Sequence, residues 1–193
     1  MMFASLCSFQ LIVFLLIYKL NGANTTGKFY TTDENKKYYI NDEQKYTWFD
    51  GLSECLKLNM TLVSVETSLK SQEVNTLVKN TFDRIVILWV GGIMTRYPDS
   101  RHYIWIATGQ PFNYTYWHGK NPDFKGNNEY CIQIGWGPNM EWNDNRCTSN
   151  YGFMCEDHRQ NSVIDSVKEH EKLKQNLIME IKEQHNLQQD LQK

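Results

Sequence analysis

Trp117-His118-Gly-Lys-Asn121-Pro122-Asp123-Phe124-Lys-Gly-Asn-Asn-Glu129-Tyr-Cys131 is followed, after a short apolar run, by Glu141-Trp142-Asn143-Asp144-Asn-Arg-Cys147. Five oxygen-bearing side chains stand out: Asn121, Asp123, Glu129, Asn143 and Asp144. Pro122, Cys131 and Cys147 lie close enough in sequence to fix the backbone around them. Three carboxylates and two amides are hard donors. Ca²⁺ takes 6–8 oxygen ligands, so one ion would leave positions open to a backbone carbonyl, water or a ligand hydroxyl. On composition alone the same residues read equally well as the ordinary turn chemistry of a polar loop.

The cysteines set the compartment. There are five, an odd number, and Cys7 lies beside the N-terminal apolar run Leu11 to Tyr18. Lys19 ends that run and Gly22 and Ala23 follow, so residues 1–23 read as a signal peptide removed on export. The alternative is a membrane anchor, but the stretch from Phe3 to Tyr18 falls short of the ~20 apolar residues a span requires. Without Cys7, four cysteines remain: Cys55, Cys131, Cys147 and Cys155. In a secreted chain that is a disulfide framework with three possible connectivities. N-x-[ST] sequons at Asn24, Asn59 and Asn113 agree with a secreted, extracellular glycoprotein.

The 193 residues leave room for one domain with appendages. Lys and Arg number 20 against 22 acids, net −2, so no basic surplus exists to neutralise a nucleic-acid backbone. Aromatic residues make up 13%, which suits irregular backbone pinned by large side chains. Residues 24–36 are polar and read as a flexible lead-in. Tyr38 to Ile40 opens a strand. Thr47 caps a helix whose apolar face is Trp48, Leu52, Cys55 and Leu56, so Cys55 should point inward. Leu62 to Val65 alternates as a strand. Ser68 to Lys79 forms a second helix with Leu69, Val74, Leu77 and Val78 apolar. Ile85 to Val90 is a buried strand ended by Gly91-Gly92. Residues 93–128 are loop-rich apart from a strand at Tyr103 to Ile106; Cys131 to Ile134 and Tyr151 to Cys155 are further strands. Helices first and strands later give an α+β class. From residue 158 to 193 Gly, Pro, Cys and aromatics are absent, and Val163, Val167, Leu173, Leu177, Ile181, Leu187 and Leu191 recur at helical spacing. That is an amphipathic helix, packed on its own domain or paired with copies of itself in a homo-oligomer.

The joint order of these features resembles the C-type lectin domain, in its short form, and among such proteins small secreted insect lectins. Leu88-Trp89-Val90-Gly91-Gly92 resembles the family's Trp-Ile-Gly-Leu strand. Asn121-Pro122-Asp123 stands where the family has Glu-Pro-Asn or Gln-Pro-Asp. Trp142-Asn143-Asp144 matches its Trp-Asn-Asp, and Gly152-Phe-Met-Cys-Glu156 its final strand. The likeness spans residues 37–157 and implies two helices, small antiparallel sheets and long loops. It also implies the pairing Cys55–Cys155 and Cys131–Cys147.

The resemblance implies Ca²⁺-dependent sugar binding rather than catalysis. No H-E-x-x-H or G-x-S-x-G occurs, and an inward, bridged Cys55 is no nucleophile. In the family the residues that hold the ion also meet two sugar hydroxyls, which here would be Asn121, Asp123, Glu129, Asn143 and Asp144. The amide-first order of Asn121-Pro122-Asp123 is that of galactose-type binders, with glycans or glycoproteins as partners and mannose-type binding as the alternative. A metal-free protein-interaction module is another, because Asn121 is one methylene shorter than Gln or Glu. Phe124 is a possible stacking face for the sugar and His118 a loop residue. An auxiliary ion site would fall at Tyr97, Arg101 and Phe124, none of them acidic, so one Ca²⁺ is expected.

Overall fold

In a computed structural model of the chain, residues 27–97 and 100–190 are described. The signal-peptide reading and the sequon at Asn24 lie outside them. The elements run β1 (Lys28–Thr31), β2 (Lys37–Tyr46), α1 (Trp48–Lys57), β3 (Thr61–Leu62), α2 (Ser68–Thr81), β4 (Leu88–Tyr97) and β5 (Ser100–Trp105). A 3₁₀ turn (Lys125–Asn127), β6 (Cys131–Ile134), β7 (Trp142–Asn145), β8 (Tyr151–Glu156) and α3 (His158–Asp190) complete them. The class is α+β.

Both short helices start where local chemistry dictates. The Thr47 hydroxyl accepts the Asp50 N–H and the Asp50 carboxylate accepts the Thr47 N–H, a capping box. Thr67 caps α2 by accepting the Lys70 N–H. The buried stripes are narrower than the apolar patterns. In α1 Trp48, Gly51 and Cys55 are covered, while Leu56 is exposed. It stands ~100° round the helix from Cys55, off the face that meets β8. In α2 Ser71, Val74 and Val78 face the core and Leu69 points away from them.

The strands join in the order β1-β2-β8-β4-β6-β7, with β3 on β8 and β5 on β4. The sheet is mixed, not purely antiparallel, because β4 and β8 pair in parallel through Leu88↔Gly152 and Trp89↔Phe153. Gly91 and Gly92 do not end the central strand. They let it run on through a register shift, since a Cβ on Gly91 would lie 2.8 Å from the Leu62 carbonyl oxygen and one on Gly92 2.7 Å from Ile132 and Phe112. What reads as loop after Ile93 therefore begins as a β4–β5 hairpin. The lead-in likewise contains β1, paired with β2 from Lys28↔Ile40 to Thr31↔Lys37. β7 has no apolar alternation to announce it; it forms because Gln133↔Asn143 and Ile132↔Asp144 pair it to β6.

Cys55–Cys155 and Cys131–Cys147 are bridged, at sequence separations of 100 and 16. Loop-closure entropy assigns them roughly 4.7 and 3 kcal/mol. The first bridge ties α1 to β8. The second spans the β6–β7 hairpin. Around Trp142, the rings of Trp105, Phe112, Tyr114 and Trp117 all lie with centroids within 5.7 Å of its own. This aromatic knot holds the irregular chain between β5 and β6 against the sheet.

A buried polar cluster fastens α3. Glu156, 1% exposed, accepts from Ser64 N at 2.7 Å, Lys70 Nζ at 2.7 Å and Asn161 Nδ2 at 3.3 Å. Burial alone would push its carboxyl up, but the Lys70 charge and the His158 contact outweigh that and hold it down at about 2. Lys36 Nζ reaches Glu73 at 2.7 Å and Asp165 at 2.6 Å, and Lys168 pairs with Glu34. Past these anchors Leu173, Leu177, Met179 and Ile181 of α3 are exposed. Among the described residues no helix is long and apolar enough to cross a membrane.

Candidate functional site

β7 carries Asn143 and Asp144 to the centre of the long loop. Asp144 is fully buried. Its Oδ1 accepts the Asp123 N–H at 3.1 Å and its Oδ2 the Phe124 N–H at 2.8 Å. One carboxylate thus fixes the backbone of the Asn121-Pro122-Asp123 segment, whose Asn121–Pro122 peptide is cis. The Lys125 N–H is shared between Glu129 Oε2 at 2.9 Å and Asp123 Oδ1 at 3.2 Å. Carboxylate oxygens of Asp123, Glu129 and Asp144 consequently all lie within 4.8 Å of one another.

The two amides pair with each other. Asn121 Nδ2 donates to Asn143 Oδ1, and the Asn121 N–H donates to the His118 carbonyl at 3.0 Å. Of the five oxygen-bearing residues singled out in the sequence, Asp123, Glu129 and Asp144 meet in one cluster, while Asn121 and Asn143 are bonded to each other. The three acids are Coulombically unfavourable together. Burial raises the Glu129 carboxyl, against the Lys125 N–H, and the charges of Asp144 and Asp123 push it further. Burial also raises Asp144, against the N–H groups of Phe124 and Asp123, with the Asp123 charge adding to it. Among the described residues no Lys or Arg forms an ion pair with any of the three. Neighbouring hard oxygens without an internal counter-charge suit a hard divalent cation, Ca²⁺ in particular.

Phe124 differs from the expectation. It is 4% exposed, with the Arg101 guanidinium 4.0 Å over its ring and Tyr130 edge-on at 5.2 Å. No open face remains for a sugar; the ring plugs the base of the loop. Its backbone sits at φ 49°, a left-handed conformation held by its N–H bond to Asp144. Of the positions counted as an auxiliary site, Arg101 and Phe124 form this clamp. Tyr103 was not anticipated: its hydroxyl lies 3.5 Å from Asp144 Oδ2, and burial followed by the Asp144 charge raises its phenol. Only the β4–β5 hairpin brings it there, so a local pattern gives no sign of it.

Known proteins resemble this chain in sequence and in fold. The family described as the Lectin C-type domain matches residues 44–157. The chain is 32% identical over 160 residues to "Lectin subunit alpha" of Sarcophaga peregrina, covering 80% of this chain and 55% of that protein. It is 33% identical to "Salivary C-type lectin 2" of Aedes albopictus over 64% of this chain and 85% of that one. The solved C-type lectin CEL-I of Cucumaria echinata superposes with a TM-score of 0.54 at 26% identity, covering 70% of this chain and 97% of that chain.

Proposed function

The chain belongs to the C-type lectin family, whose members are binding proteins and not enzymes, and from that premise we propose that it is a secreted, calcium-dependent lectin for galactose-type sugars. In this reading Asn121, Asp123, Glu129, Asn143 and Asp144 hold one Ca²⁺. The same carboxylates accept, and the same amides donate, hydrogen bonds to two neighbouring sugar hydroxyls. Ca²⁺ supplies the positive charge that the site lacks and a direct contact for the hydroxyls. Asp144 also works as a splint, holding Asp123 through the backbone. The observation that carries the reading is the convergence of three carboxylates with no ion-pair partner among the described residues. The amide-first order of Asn121 and Asp123 is what favours galactose-type sugars.

A glycan array run with Ca²⁺ and with EDTA tests it. Retention of galactose-terminated glycans that EDTA abolishes is expected, at about mM for a monosaccharide, or roughly −4 kcal/mol. Retention indifferent to EDTA, or none across the array, would sink the proposal; mannose-selective retention would reverse the sugar preference alone. A calcium-independent protein-interaction module is the second reading. It is favoured by one observation, the bond from Asn121 Nδ2 to Asn143 Oδ1, which occupies an oxygen the ion needs. Calorimetric titration with Ca²⁺ separates the two, since only the first gives heat.

Two further parts belong to the proposal. The Asn59 and Asn113 side chains are exposed, as N-glycans on a secreted chain require. The uncovered stripe Leu173, Leu177 and Ile181 of α3 supports a homo-oligomer through that helix, as does the likeness to a protein named as a lectin subunit.

A further inference from the structure

Of the six tryptophans, Trp48, Trp89, Trp105 and Trp142 are fully buried, and Trp117 stacks within the aromatic knot. Trp136 is the exception at 46% exposure, and among the described residues its indole has neither a ring partner nor a hydrogen-bond partner. It is not remote from the ion site. Its backbone N–H donates to the Glu141 carbonyl at 3.2 Å, closing the β6–β7 hairpin two residues from Asn143. A Cβ on Gly137 would meet Glu141 Oε2 and, at 2.6 Å, His118 Nδ1, so both side chains converge over Gly137, the residue next to Trp136 in the hairpin. His118 is tied to the ion site on both sides: its N–H donates to the Trp142 carbonyl at 2.9 Å, and its own carbonyl accepts from Asn121.

We infer that Trp136, Glu141 and His118 form a second sugar subsite, which takes the pyranose linked to the one held at the proposed ion site. The inference rests on the lectin reading above and adds the surface that would read the next residue of a glycan. Its chemistry fits a neutral sugar. An exposed indole offers a flat apolar plate for the C–H face of a pyranose. The Glu141 carboxylate is held in place by the Asn139 N–H at 2.9 Å and the Asn139 Nδ2 at 3.1 Å, with lone pairs left for hydroxyls. The imidazole offers its ring nitrogens to sugar hydroxyls. Burial pushes the Glu141 carboxyl up, but its own backbone N–H, Asn139 and His118 outweigh that and keep it ionised. A carboxylate there repels an acidic sugar.

Titrating the full chain in Ca²⁺ with galactose and lactose, and in parallel with mannose and mannobiose, tests this. Whichever pair binds, the disaccharide should bind more tightly than the monosaccharide. Trp136→Ala should erase that difference, a loss of about 2- to 10-fold in disaccharide affinity. Trp136→Phe should keep part of it. Monosaccharide affinity, the Ca²⁺ midpoint and the melting temperature should stay at wild-type values in both variants. Equal disaccharide affinity in wild type and Trp136→Ala overturns the subsite and leaves the lectin reading standing. So does a parallel loss for mono- and disaccharide. A wild-type chain that binds none of the four sugars overturns both.

Discussion

Two clusters of acids lie on opposite fates in this molecule. At the root of α3 the buried Glu156 is matched by Lys70, and its neighbours Glu73 and Asp165 share Lys36. There the carboxyl of Glu156 is held far below its ordinary value. In the long loop Asp123, Glu129 and Asp144 crowd together with backbone N–H groups as partners, and the carboxyls of Glu129 and Asp144 are pushed up. Burial acts against ionisation in both places. What differs is whether the chain supplies the cation. A cluster that carries its own counter-charge is structural cement. One that lacks it is stable only at a cost, which an external cation removes.

The largest effect should come from depriving the first cluster of its cation. Lys70→Met leaves Glu156 buried without its ammonium partner, at an expected ~3–5 kcal/mol in chemical denaturation at pH 7. The wild type should show the matching pH dependence. A carboxyl whose folded value is depressed stabilises the fold above its unfolded value of 4.5, and that stability drains away as pH falls from there towards about 2. The amount is on the order of 3 kcal/mol. A Lys70→Met loss under ~1 kcal/mol would erase the contrast between the clusters.

Next in size is the response of the second cluster to an added cation. Ca²⁺ at 100 times its dissociation constant should stabilise the wild type by ~2.7 kcal/mol in thermal melts. Glu129→Gln should abolish that response, yet melt in EDTA no lower than the wild type, because it removes one of three mutually repelling charges. A variant that melts several degrees lower in EDTA would mean that Glu129 is cement after all. Smaller again is a change of order within the loop. The double change Asn121→Glu with Asp123→Asn keeps the carboxylate count and should move preference from galactose towards mannose by roughly 1–3 kcal/mol on a glycan array.

The smallest effect on the fold should follow removal of the outer part of α3. Truncation after Glu169 leaves Asn161, Asp165 and Lys168 in place and should cost within ~0.5 kcal/mol. If α3 links copies of the chain, agglutination should fall roughly 10²-fold while monosaccharide affinity holds. Truncation after Asp157 should cost far more, since it strips Asn161 from the Lys37 backbone and from Glu156.

These clusters were unequally legible. The loop acids stand within a few residues of Pro122, Cys131 and Cys147, so motif order alone groups them. Glu156 and Lys70 are 86 residues apart, and nothing in either neighbourhood announces the other. Leu56 and Leu69 show the same limit at smaller scale: helical periodicity marks apolar positions but not the width of the face that a sheet will cover.

By itself the sequence determined the domain family, the four framework cysteines, the capped helices and the set of oxygen donors, because each is written in residue type and short spacing. Only the tertiary structure decided that Phe124 is a plug and not a platform, that Gly91 and Gly92 carry a strand through instead of ending it, that Tyr103 reaches Asp144, and that Trp136 stays uncovered. Each of those outcomes depends on which distant surface arrives at the residue, and long-range packing settles that where local propensity is silent.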